Sequence, residues 1–287
     1  MGQNNSFESF SRYPVKIAED IYWVGYPDKH RKLTDNPYLV KNGEEGIIID
    51  GGSRPDFPNV MMKIMQTGMS AHNISTLIYQ HYDPDLCGSI TNLEQIIDNP
   101  DLKIISQKTN NLFIRHYGVK SELMCIDDLG GKIELSSGRT LHFYKTPYSH
   151  SAGSFITHDV TTRTLFTSDL FGSICSDLQQ FELFRKIPEE CGGCADFSQV
   201  DADFFCRDRQ IACPVAAIHK FQKELMTSNK AFRYALDIIR NIDASIIAPQ
   251  HGFVITDKED FDFIYSRLLK ADDIGIDGFL KGEKNEV

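Results

Sequence analysis

Along the first third of the chain, short apolar runs rich in β-branched and aromatic residues alternate with glycine and polar turn residues. Ile21-Tyr22-Trp23-Val24-Gly25, Pro37-Tyr38-Leu39-Val40 and Ile47-Ile48-Ile49-Asp50, the last closed by Gly51-Gly52, read as strands on that ground. Over 56–69 the period changes. Val60, Met61, Ile64 and Met65 fall on one helical face, Asp56 stands at the N-cap position, and Met61, Met62, Met65 and Met69 have the spacing of a core or interface stripe. Strand, helix and strand continue over 76–79, 88–97 and 103–105. Two hairpins follow, 132–135 with 140–143 and 155–157 with 163–166. A helix over 231–242, a buried-type strand over 244–248 and an amphipathic helix over 257–270 close the pattern, with Thr256 and Glu259 spaced as a capping box. Hairpins mixed with crossovers predict a layered α/β (α+β) domain with mixed sheets and helices on both outer faces.

The 287 residues allow one large domain or two small ones at about 150 residues each. No repeat or low-complexity linker divides them, so the expected organisation is a flexible leader over 1–14 and a single domain over 15–287. With 41% hydrophobic and 24% charged residues, disordered and fibrous classes are excluded. A net charge of −10 argues against nucleic-acid or anionic-membrane partners. No apolar run approaches the roughly 18 residues of a membrane span. The polar start lacks a signal-peptide core, and although Met1-Gly2-Gln3-Asn4-Asn5-Ser6 formally matches a myristoylation pattern, it has no polybasic partner. The expected location is cytoplasmic.

Candidate chemistry concentrates at strand ends. Gln80-His81-Tyr82-Asp83-Pro84-Asp85-Leu86-Cys87-Gly88 follows one strand and puts three metal-capable side chains at alternate positions, where α/β sites commonly lie. Alone, that turn reads equally as a solvated helix cap. Three further positions add weight: His150 in the loop 146–154, Asp169 after 164–168, and His251 in Pro249-Gln250-His251-Gly252.

Taken in order, Ile49-Asp50-Gly51-Gly52, the His81 loop, His150-Ser151-x-Gly153, Ser168-Asp169 and Pro249-Gln250-His251-Gly252 resemble the metallo-β-lactamase superfamily. That resemblance implies a four-layer αββα sandwich with a dinuclear metal site at one edge of its two sheets. Zinc hydrolases of that superfamily carry His-x-His-x-Asp-His in the first loop. Here Asp83 replaces the second histidine and Leu86 the last. The remaining set of His81, Asp83, Asp85, His150, Asp169 and His251 is rich in carboxylate, which suits iron or manganese better than zinc.

It looks like the diiron site of flavodiiron proteins, which have His-x-Glu-x-Asp and the same 18 residues between His150 and Asp169. The resemblance implies two irons, one held by His81, Asp83 and His150, the other by Asp85 and His251, with Asp169 bridging. Asp83 is shorter than the usual glutamate by one carbon–carbon bond, about 1.5 Å. The chain ends at Val287 without room for the flavodoxin domain those proteins carry. The closest architecture is that of stand-alone oxygen-binding diiron proteins of chemotaxis-type signalling. The expected function is therefore binding of dioxygen as a sensor. The alternatives are reduction of oxygen or nitric oxide with an external rubredoxin-like donor, and metal-dependent hydrolysis of a thioester or phosphodiester. A signalling protein or electron donor and a second copy of the chain are the candidate partners.

Seven cysteines, an odd number, fit a reducing compartment. Cys87 and Cys125 are scattered, but Cys175, Cys191, Cys194, Cys206 and Cys213 fall within 39 residues. They sit in a Cys-rich insertion at about 175–215, because the 81 residues between Asp169 and His251 exceed the flavodiiron pattern by about 20. Cys191, Cys194, Cys206 and Cys213 are candidates for zinc or an iron–sulfur cluster that could relay electrons, with Cys191 and Cys194 as a redox pair or a set of buried thiols as the alternatives. Tyr82 and Tyr148 flank ligand candidates and could donate to a bound ligand, although packing is the commoner role of such aromatics. His30, His72, His116, His142, His158 and His219 lie in no such motif.

Overall fold

The computed structural model describes residues 7–27, 33–174, 182–191, 194 and 197–283. Its first sheet runs in chain order through β1 (Val15–Ala18), β2 (Ile21–Trp23), β3 (Tyr38–Asn42), β4 (Glu45–Ile49), β5 (Ile74–Ile78), β6 (Lys103–Ser106) and β7 (Glu122–Cys125). The first four strands form an antiparallel meander. From β4 to β7 the pairing is parallel. Parallel neighbours need crossovers, which here contain helices: α1 (Phe7–Arg12) precedes the sheet, and α2 (Phe57–Gln66), α3 (Pro84–Cys87), α4 (Ile90–Ile97) and α5 (Lys108–Ile114) link its parallel strands.

The second sheet contains β8 (Lys132–Glu134), β9 (Thr140–Lys145), β10 (Phe155–Asp159) and β11 (Thr164–Phe166), each antiparallel to the next. The hairpin β12 (Phe205–Cys206) and β13 (Ile211–Ala212) stands apart, and β14 (Ile246–Ala248) returns to pair parallel with β11. Helices α6 (Pro214–Leu225), α7 (Asn229–Arg240), α8 (Lys258–Leu269) and α9 (Ile276–Glu283) complete the chain. Among the described residues, no helix is long and apolar enough to cross a membrane.

Strand alternation explains the four layers, because successive side chains leave opposite faces of a sheet. Tyr38, Val40, Ile47, Ile49, Ile78 and Ile105 point between the sheets and meet Leu141, Phe143, Phe155, Phe166 and Ala248. Their neighbours Leu39, Ile48, Leu77 and Ile104 face outward against Val60 and Ile64 of α2 and Ile90, Leu93 and Ile97 of α4. On the far side, Ile156, Leu165 and Ile247 pack on Ile218 of α6, Phe232 and Leu236 of α7, and Ile264 and Leu268 of α8. The result is the αββα sandwich expected from the motif order.

A buried ion pair joins the sheets at one end. Arg139 donates to both carboxylate oxygens of Asp159, at 3.0 and 2.7 Å, and to the Lys41 carbonyl of β3 at 3.1 Å. At the chain start, the stretch read as a leader contains α1. Phe10 is buried edge-on against Trp23, and the buried Lys63 ammonium donates to the Phe10 and Gly25 carbonyls while lying 4.3 Å from the Trp23 ring centre.

Two caps differ from expectation. Asp257, not Thr256, caps α8: its backbone is extended, and its carboxylate accepts from the Glu259 and Asp260 amides. Asp56 does not cap α2, because a 3₁₀ turn over Arg54–Asp56 already places it in helical backbone, where it accepts from Ser53 Oγ instead. The methionine stripe divides: Met61 and Met69 are buried, while Met62 and Met65 are exposed.

Candidate metal centre

Three loops after strand ends and one between β9 and β10 converge at one edge of the sandwich. His81 leaves the end of β5, where the preceding Gln80 is clamped by Asp50: its backbone N–H and side-chain amide donate to the two Asp50 oxygens, each at 2.9 Å. This gives the Asp50-Gly51-Gly52 turn a job, and Asp50 adopts a left-handed φ of 55° to do it. Burial pushes the Asp50 carboxyl up to about 7. Asp83 precedes α3 and Asp85 lies in its first turn, while Leu86 turns into the helix-side core.

The second sheet supplies the rest. His150 sits in the β9–β10 loop, Asp169 follows β11 and His251 follows β14. Gly252 has φ +81°, and a Cβ there would lie 2.0 Å from Ser173 Oγ, so the turn that presents His251 requires glycine. Asn36 braces the same turn by donating to the carbonyls of Pro249 (3.0 Å) and Gly252 (2.9 Å). Its own Oδ1 accepts from Trp23 Nε1 at 2.8 Å.

All six side chains singled out in the sequence meet here. His150 Nε2 lies 2.9 Å from Asp83 Oδ2, and His251 Nε2 lies 3.1 Å from Asp85 Oδ2. Asp169 reaches both halves: Oδ2 is 3.1 Å from His150 Nδ1, and Oδ1 is 3.5 Å from His251 Nε2 and 3.9 Å from His81 Nε2. Ligand atoms within 4.8 Å of one another form three sets: His81, His150 and Asp169; His81, Asp83 and Asp85; and Asp35, Asp85 and His251.

Asp35 is the residue that sequence reasoning missed. A lone aspartate in Thr34-Asp35-Asn36-Pro37 reads as a solvated turn, yet it is buried, with Oδ1 3.9 Å from His251 Nδ1. Ser168, noted only as part of a motif, has its Oγ 2.9 Å from His81 Nδ1, and it holds a left-handed φ of 53°.

The set fits a metal pair. His81 Nε2, His150 Nδ1 and Asp169 Oδ1 are buried with no hydrogen-bond partner, a costly arrangement that a cation would satisfy. The field points the same way. Burial alone would depress His251, but its hydrogen bond to Asp85 and the charges of Asp169, Asp85 and Asp35 lift it to about 10. Burial likewise opposes ionisation of Asp85, yet the His251 hydrogen bond and the imidazolium charges hold it down at about 2. Surroundings that favour positive charge on imidazoles favour a bound cation equally.

The tyrosine and cysteine candidates have other surroundings. The Tyr82 ring stacks on Phe113 at 4.4 Å, and Tyr148 is more than half exposed. Cys191, Cys194, Cys206 and Cys213 gather around a separate cavity of about 640 Å³. Cys175 and His30 lie outside the described residues.

The family model described as ODP family beta lactamase matches residues 33–252. Among solved structures, a peroxy diiron species of the chemotaxis sensor ODP superposes with a TM-score of 0.71 at 22% identity, covering 93% of this chain and 98% of that one. An apo state of ODP from T. denticola gives 0.68 at 23%, covering 93% of this chain and 97% of that one. The rubredoxin oxygen:oxidoreductase of Desulfovibrio gigas gives 0.71 at 18%, covering 90% of this chain but 61% of that one. A nitric oxide reductase of Moorella thermoacetica is 23% identical over 256 residues, 84% of this chain and 57% of its own length. The chain thus spans between about a quarter and somewhat over half of such curated relatives.

Proposed function

The chain belongs to the ODP beta-lactamase family, and from that premise we propose that it is a non-haem diiron protein that binds dioxygen as a sensor or signalling component. The observation that carries this reading is the convergence of three imidazoles and three carboxylates on buried, unpartnered His81 Nε2 and Asp169 Oδ1. His81, Asp83 and His150 would hold one iron, and Asp85 and His251 the other. Asp169 faces both positions and Asp35 stands beside the second. A ferrous pair, when bound, supplies two electrons and open coordination positions for a small diatomic ligand.

The chain's own residues do the rest. Ser168 Oγ and the Thr34 carbonyl, 2.7 Å from His251 Nδ1, take the Nδ1 protons of His81 and His251, so that Nε2 of each faces the centre. Phe221, its ring 5.4 Å from that of His251, walls one side with apolar surface. Asp83, about a third exposed, and His150, about a fifth exposed, form the open side through which a ligand enters.

A second reading, reduction of oxygen or nitric oxide with an external donor, draws on the likeness to the D. gigas and M. thermoacetica proteins. One experiment separates the two. Anaerobically iron-loaded protein is mixed with oxygen while its optical spectrum and the oxygen concentration are followed with and without a reduced rubredoxin. Sensing requires two irons per chain and a long-lived visible band with stoichiometric oxygen uptake. Continued consumption with the donor selects the reductase, and two zinc ions with no iron after growth in iron defeat both.

A further inference from the structure

On the diiron reading, the two metal positions are unevenly supplied. His81, Asp83 and His150 serve one and only Asp85 and His251 the other, with Asp169 between them. Leu86, the next residue of the first loop, cannot make up the difference, since its side chain is apolar and fully buried in the helix-side core. A further carboxylate, that of Asp35, reaches this side from the connection between β2 and β3.

The two neighbours of Asp35 fix its place. Thr34 accepts from His251 Nδ1 through its carbonyl, at 2.7 Å, and from the Gly252 amide through its hydroxyl, at 2.9 Å. The Asn36 backbone amide donates to the Gln250 carbonyl at 2.8 Å, and its side chain donates to the carbonyls of Pro249 and Gly252. Those contacts lay the segment along the His251 turn without using the Asp35 carboxylate. Asp35 is only 4% exposed, and one of its oxygens, one oxygen of Asp85 and one nitrogen of His251 lie within 4.8 Å of one another. Ser53 stands in hydrogen-bond reach of Asp35, but a hydroxyl brings no charge, and a carboxylate has further lone pairs to offer. Two carboxylates this close and poorly solvated repel, and a cation between them turns the repulsion into binding. Nor is this a surface cluster of acids. The same edge buries His81 Nε2 and Asp169 Oδ1 without a hydrogen-bond partner.

We propose that Asp35 is a ligand of the second metal ion, so that Asp35, Asp85 and His251 hold it as His81, Asp83 and His150 hold the first, with Asp169 shared. Metal bonds of about 2.0–2.2 Å put two donors of one ion at most about 4.4 Å apart. A set within 4.8 Å therefore closes on an ion by moving only a few tenths of an ångström. The first position then has two imidazoles and one carboxylate of its own, and the second has one imidazole and two carboxylates. Carboxylate suits the harder cation, so the two positions differ in the ion each holds best.

The assignment rests on the diiron reading for the identity of the metal, and the test keeps the two apart. The full native chain and Asp35→Asn are stripped of metal and titrated anaerobically with ferrous iron by calorimetry. Bound iron is then counted per chain after desalting. The native chain should take two irons. Asp35→Asn, which keeps the shape of the side chain but not its charge, should keep the first and bind the second more than about 100-fold more weakly, beyond what losing an outer partner of a ligand costs. Mössbauer spectra should show a coupled ferrous pair in the native chain and an isolated ferrous ion in the variant. A smaller loss, with the pair still present, overturns the ligand role of Asp35 and leaves the diiron reading standing. A native chain that takes fewer than two irons defeats that reading instead. The same two proteins titrated with manganese(II) then judge Asp35 alone, and equal binding overturns it. If Asp35→Asn does not fold, a crystal structure of the iron-loaded native chain decides. An Asp35 oxygen within about 2.4 Å of the second ion supports the assignment, and a longer distance overturns it.

Discussion

Two hydrogen bonds decide which nitrogen of two buried histidines faces the centre. A ligating imidazole needs its other nitrogen held, and loss of such a partner typically costs about 10- to 100-fold in metal affinity. Ser168→Ala should therefore weaken iron binding by about that factor in competition with a chelator, leaving the fold intact. A shift under about threefold would show that Ser168 does not orient His81. Lys63 makes a second residue-scale prediction. Burial lowers its pKa from 10.5 to about 7, so between those values the unfolded chain holds a proton that the folded one has released. Stability must then rise with pH across that window, with the full penalty of the buried charge below about 7. Relative to Lys63→Met, which lacks this titration, the native chain should gain melting temperature between about pH 7 and about pH 9, and parallel profiles would refute the shift. The six His and Asp positions could be read from the sequence because each sits beside an apolar strand with a glycine or small-residue turn. Asp35 could not, since only tertiary burial separates it from a solvated aspartate.

Among elements, the strands and hairpins were legible where alternation was strong; the expected hairpin of β10 with β11 forms, but its pairs are Thr157 to Asp159 with Phe166 to Thr164 rather than 155–157 with 163–166. The short β1 and β7 and the helices α5 and α6 were not anticipated. Their sequences mix polar residues into apolar positions, and α6 opens within the stretch read as a cysteine-rich insertion. The start of α8 shows how a local motif misleads. Thr256 and Glu259 have capping-box spacing, but backbone conformation puts Asp257 at the cap. Asp257→Ala should lower the melting temperature and Thr256→Ala should leave it unchanged; the reverse order would restore the box. The Arg139–Asp159 pair binds β9 and β10 to the Lys41 carbonyl of β3, so Arg139→Met leaves a buried carboxylate without its cation, still accepting from Thr162. That should cost about 3–5 kcal/mol in urea unfolding, and a loss below about 1 kcal/mol would mean the pair does not join the sheets.

For the whole molecule, the fold class followed from periodicity and motif order, because a buried two-sheet core demands alternating apolar positions in both sheets. What periodicity could not show is how the centre is divided. His81, Asp83 and Asp85 come from the first sheet, and His150, Asp169 and His251 from the second. Any ion held by both sets cross-links the sandwich. Iron loading should thus raise the melting temperature cooperatively, by about 2.7 kcal/mol of stability at a free iron concentration 100 times Kd. Stabilisation absent at saturating iron would mean the ions bind outside this edge.

Trp23 is the only tryptophan in the 287 residues, and its indole N–H is spent on Asn36, the side chain that braces Pro249 and Gly252 around His251. The protein therefore contains one indole fluorophore, excitable apart from its eleven tyrosines and wired to a contact more than 200 residues away along the chain. Closing so long a loop waits until the intervening sheets are formed. In a refolding experiment, the fluorescence change of that single indole should time the closure of the His251 turn, later than the helical signal in circular dichroism. It is an optical clock for the final assembly of the pocket, available without a label.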